Sequence, residues 1–130
     1  MEITVKELKQ TELITIQGRV DSVEASHLEQ ALQAANHRGK YRLVIDMSQL
    51  EYMSSAGFRA LAAAQRNSKR HKGGEVILTQ VPNHLREALE MIGFAEYFNI
   101  FDNVTSALEF AENLTGGNSS NDPPPPDLGK

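Results

Sequence analysis

Two short runs, Leu43-Val44-Ile45 and Val76-Ile77-Leu78, are apolar at every position. A strand with one wet face alternates, so an uninterrupted run of this length marks a strand buried on both faces. Between them residues 54–72 are alanine-rich, carry Phe58, Leu61 and Ala62, and lead into Gly73-Gly74. That stretch reads as a helix with a basic last turn. Strand, helix and strand in this order make a βαβ unit with parallel strands and a right-handed crossover.

The flanking segments extend the unit. Ile3-Thr4-Val5 and Leu13-Ile14-Thr15-Ile16 read as two β-branched strands joined around Lys9 to Thr11, an opening hairpin. From Ser22 the period becomes helical, with Leu28, Ala31, Leu32 and Ala35 on one face, Asp21 or Ser22 as cap and Gly39 as stop. After Asp46 a polar loop is expected before the helix at residue 54. Pro82 opens a third helix with Leu85, Ala88, Leu89 and Ile92 inward and Gly93 as terminator. A last strand near Phe98 to Phe101 precedes a fourth helix, capped by Asp102 or Asn103, with Val104, Ala107, Leu108 and Ala111 inward. The fold class is therefore α/β: a single domain over residues 1–114, with a mixed sheet of about five strands packed with about four helices. Residues 115–130 carry Gly116-Gly117, Asn118-Ser119-Ser120 and four prolines from Pro123, and are expected to form a disordered or extended tail.

Composition narrows the function classes. A formal net charge of −4 argues against direct nucleic-acid binding, which rewards clustered Lys and Arg. With no cysteine, thiolate catalysis and Cys-based metal sites are excluded. His27, His37, His71 and His84 share no metal-ligand spacing, so no metal and no cofactor is expected. Gly73-Gly74 and Gly116-Gly117 lack the spacing and lysine of a P-loop. Ser54-Ser55-Ala56-Gly57 is not a nucleophile elbow and has no advertised base, so the chain is expected not to be an enzyme. The start, Met1-Glu2-Ile3-Thr4, lacks the features of a signal peptide, and no segment reaches membrane-spanning length. The expectation is a cytoplasmic protein without membrane insertion.

In a parallel sheet, function is expected where strand-to-helix loops converge at the carboxyl ends of the strands. There Ser54 and Ser55 stand where a helix begins, and a phosphate on either would meet unpaired N–H groups and the positive end of the helix dipole. One serine can cap the helix while its neighbour stays exposed. Gly57 would allow a close backbone approach. Arg59 lies one turn after Ser55 on the same side, either a plain solvent-exposed arginine or a contact to phosphate or partner. Asp21 is a helix cap by the same logic. Tyr52 and Met53 read as support beneath the loop.

Three landmarks, Gly18-Arg19-Val20-Asp21, Tyr52-Met53-Ser54-Ser55-Ala56-Gly57-Phe58-Arg59 and Gly73-Gly74-Glu75-Val76, together with the order of elements, resemble the STAS domain family, in particular bacterial anti-sigma-factor antagonists. The resemblance covers residues 3–114, and the second landmark is its most specific part. It implies a mixed sheet packed with helices. It also implies phosphorylation at Ser55, with Ser54 as the alternative acceptor because Ser54 stands where the family usually has Asp. The implied partner surface is Asp21, Ser54, Ser55, Gly57 and Arg59. The implied partners are an anti-sigma factor or switch serine/threonine-protein kinase, released by phosphorylation, and a PP2C-type phosphatase that reverses it. A second role for such a domain is as accessory subunit of a lipid or solute transport complex.

Overall fold

A computed structural model describes residues 1–114; the expectation of a disordered tail falls outside the described residues. The strands are β1 (Glu2–Glu7), β2 (Thr11–Val20), β3 (Arg42–Asp46), β4 (Leu50–Met53), β5 (Glu75–Thr79) and β6 (Asn99–Phe101). The helices are α1 (Ser22–His37), α2 (Ser55–Ser68), α3 (Asn83–Met91) and α4 (Val104–Glu112), with a 3-10 turn at Ala95–Tyr97. The main sheet runs β1-β2-β3-β5-β6, and β4 pairs with β2 alone. β1 and β2 form the expected antiparallel hairpin, from Glu2 opposite Gln17 to Glu7 opposite Glu12. All other pairings are parallel, so the sheet is mixed, as read from the sequence.

The two continuous apolar runs sit in the centre because both of their faces are covered. Leu43, Ile45, Val76 and Leu78 turn toward the larger core with Ile14, Ile16, Leu28, Leu61 and Leu89. Val44 and Ile77 turn the other way, onto Ala107 and Ala111 of α4. Burying a side chain of this size contributes roughly 1.5–3 kcal/mol, so a register slip of one residue, which would exchange the two faces, is strongly disfavoured.

Four expectations need correction. The polar loop after Asp46 contains β4, a sixth strand; its side chains follow a buried, exposed, exposed, buried order, which carries no period-2 signal. Helix α2 ends at Ser68 instead of residue 72. The chain then closes i to i−3 turns, with His71 N–H donating to Ser68 O at 3.0 Å and Gly74 N–H to His71 O at 2.9 Å, and so reverses in time to place Glu75 beside Tyr41. Ile92 is 40% exposed because it is the C-cap residue of α3, past the last inward turn. Tyr52 is exposed at 39% and does not support the loop from beneath, whereas Met53 is buried.

Two buried polar groups tie the layers. Glu12, fully buried, accepts from Arg38 Nε at 2.9 Å and Nη2 at 2.7 Å; those bonds hold the Arg38 guanidinium above its usual pKa. Gln65 of α2 donates to Glu75 Oε2 at 3.1 Å and Tyr97 O at 3.0 Å, and accepts from Val76 N–H at 2.7 Å. Such networks hold helices in register on the sheet when every member is paired.

Candidate functional site

Strand β2 runs past the main sheet, shifts register between Gly18 and Arg19, and carries β4 on its last three residues. The backbone of Ser54 then donates to Val20 O at 2.8 Å. Since Asp21 follows Val20 and Ser54 follows Met53, this one bond brings the starts of α1 and α2 side by side. Asp21 caps α1, its Oδ1 accepting from Glu24 N–H at 2.8 Å. Ser54 caps α2, its Oγ accepting from Gly57 N–H at 3.3 Å. Each supplies an acceptor to an N–H that the helix itself leaves unpaired.

With Ser54 engaged as the cap, Ser55 is the first residue of α2 and is exposed. Its hydroxyl stands at the positive end of the α2 dipole, on the surface that also holds the Asp21 carboxylate. Arg59, one turn on, is exposed as well. Gly57 lies on the inner side: a Cβ there would sit 2.6 Å from Met53 Cγ and 3.1 Å from Val20 Cγ1. Its missing side chain lets α2 close onto β4 and β2, so its contribution to the surface is to seat Ser55 and Arg59.

Three neighbours, in two contacts, were not legible as site residues. Arg19 and Tyr52 are opposed in the β2–β4 ladder, and the Arg19 guanidinium lies 4.7 Å from the centroid of the Tyr52 ring, a cation–π pair on exposed surface. A strand reading of residues 50–53 would have found it. His84 of α3 lies with Nε2 2.8 Å from Glu51 O; a carbonyl only accepts, so this nitrogen carries the proton. The bond ties α3 to β4, and no sequence signal announces it.

The site therefore offers an accessible hydroxyl at a helix start, a carboxylate alongside and an arginine one turn away. The class is a one-sheet α/β domain in which two helix starts lie side by side at the carboxyl ends of parallel strands. A family model described as "Mlab, STAS domain" matches residues 3–102, and the chain belongs to the STAS domain family. It is 32% identical over 100 residues to BtrV of Bordetella bronchiseptica, named as an anti-sigma factor antagonist, covering 77% of this chain and 85% of that protein. Among solved structures it resembles an anti-sigma factor antagonist from Mycobacterium paratuberculosis, with a TM-score of 0.76 at 25% identity over 86% of this chain and 94% of that one. It also resembles a sulfate transporter family protein from Wolinella succinogenes, with a TM-score of 0.68 at 26% identity over 81% of this chain and 87% of that one. Among the described residues, no helix is long and apolar enough to cross a membrane.

Proposed function

We propose that this domain is a cytoplasmic, non-enzymatic partner switch of the anti-sigma-factor-antagonist type, controlled by phosphorylation of Ser55. Unmodified, it binds an anti-sigma factor or switch serine/threonine-protein kinase through Asp21, Ser55 and Arg59, with Ser54 and Gly57 shaping the surface from behind. Phosphorylation releases the partner, and a PP2C-type phosphatase restores binding. The observation that carries this reading is the division of labour between the two serines: Ser54 is occupied as a cap and Ser55 is exposed beside it. A phosphoserine brings about −1.5 to −2 charges. Next to Asp21, in an interface closed to water, that charge meets like-charge repulsion and a desolvation cost, and each tenfold loss of affinity needs only about 1.4 kcal/mol. The relationship to BtrV supports the same reading.

The likeness to the Wolinella succinogenes protein favours one second reading, an accessory subunit of a lipid or solute transport complex in which Ser55 is never modified. Peptide mass spectrometry of the protein from its native cells, with identification of what co-purifies, separates the two. Phosphate on Ser55 with a kinase-like partner supports the switch; an unmodified chain held by transporter subunits overturns it.

A further inference from the structure

The surface beyond Ser55 continues past Arg59 into a feature of which the switch reading uses only that arginine. Between α1 and α2 lies a trough of about 390 Å³, bounded at one end by Ser22 and Ala56 and reaching Arg66 and Phe94. Its floor is shallow in side chain: Ala56, Ala60 and Ala63 recur at i, i+4 and i+7 and so share one stripe of α2. Alanine at these positions lets a second backbone approach closely, and helices pack at 8–10 Å when the contact residues permit it.

Charge selects the occupant. Arg59 and Arg66 line the trough from a neighbouring stripe of α2, two turns and about 10.5 Å apart along the helix axis. Neither makes a hydrogen bond or ion pair with the described residues, so both guanidiniums are open to carboxylates brought by a partner. The α1 wall supplies the Ser26 hydroxyl and one carboxylate, Glu29. Exposed apolar surface adjoins the lining in the chain: Val23, 69% exposed, follows Ser22, and Ile92 precedes Phe94 by two positions.

The geometry points to this trough as the seat of an acidic partner helix, with small or apolar residues on its contact ridge and two carboxylates spaced seven residues apart to meet Arg59 and Arg66. This deepens the proposed switch and rests on it for the role of Ser55. A phosphate at the head of α2 repels the carboxylates that the two arginines attract, which gives the switch its direction.

The test uses the full chain, labelled with 15N, and two synthetic 20-residue helical peptides. Both carry an alanine-leucine contact ridge; one has Glu at positions 7 and 14 and its twin has Lys there. The Glu peptide is expected to shift the amides of Ala60, Ala63 and Phe94 saturably and to bind at least tenfold more tightly than the Lys peptide. The double variant Arg59→Ala/Arg66→Ala is expected to lose at least tenfold of that affinity while its spectrum elsewhere is unchanged. Equal binding of the two peptides, shifts confined to another face, or full affinity in a folded double variant overturns the assignment. Phosphoserine incorporated at residue 55 separates this from the switch itself. If the Glu peptide binds the modified chain undiminished, the trough assignment stands and the switch reading falls. If charge selectivity is absent while Ser55 is phosphorylated in cells, the trough assignment falls and the switch reading stands.

Discussion

Replacing Ser54 and Ser55 in turn by alanine separates two adjacent hydroxyls by what each does. Ser54 Oγ accepts from Gly57 N–H at 3.3 Å, on the long side for a neutral hydrogen bond, and Ser54 is half-buried. Removing a serine cap typically costs about 0.5–2 kcal/mol; the length of this bond places Ser54→Ala in the lower half, about 0.5–1 kcal/mol. For a domain of this size that lowers the melting temperature by roughly 2–5 °C. Ser55 is exposed and is not the cap, so Ser55→Ala should change stability by less than about 0.5 kcal/mol, with a slight gain from alanine's helix propensity. Thermal and urea unfolding followed by circular dichroism reads the stability, and intact-mass spectrometry of each variant purified from the native cells reads the modification. The expected pattern is crossed: Ser54→Ala is less stable but still phosphorylated, Ser55→Ala is fully stable and unmodified. If Ser55→Ala loses as much stability as Ser54→Ala, or a folded Ser54→Ala chain takes no phosphate, the assignment of cap and acceptor is wrong.

Gly74→Ala should be among the most damaging single changes, because the new Cβ would collide with the Ser68 carbonyl oxygen. That neighbour is backbone and cannot rotate away, so the turn after α2 must open; urea unfolding should show a loss at or above the roughly 1–3 kcal/mol typical of overpacking. Arg38→Ala leaves the fully buried Glu12 carboxylate without its two hydrogen bonds and should cost about 3 kcal/mol. The double change Arg38→Met/Glu12→Leu should recover most of that loss in the same assay, since an apolar pair needs no compensation.

The helices and the central strands were legible because each is decided by a pattern local in the chain. Leu43 to Ile45 and Val76 to Leu78 lack polar residues because both faces of the sheet are covered, and that shows as composition. The α1 and α4 faces show as 3.6-residue periodicity, and Gly39 and Gly93, with φ of +83° and +81°, mark helix ends that a side chain would strain. The candidate loop was legible for the same reason, since two hydroxyls before an alanine-rich segment announce a helix start.

Strand β4 was not legible. Four residues paired on one side only with the overhang of β2 bury their two ends and expose their middle, and no periodic template describes that order. With β4 hidden, only the family resemblance brought Asp21 near Ser54 and Ser55, and the Arg19–Tyr52 pair and the tie from His84 to Glu51 could not be derived, because each joins segments distant in sequence. Local sequence alone determined that Ser54 and Ser55 stand at the head of a helix. The bond from Ser54 N–H to Val20 O decided which surface they share, because a non-local hydrogen bond depends on where the sheet carries both of its partners.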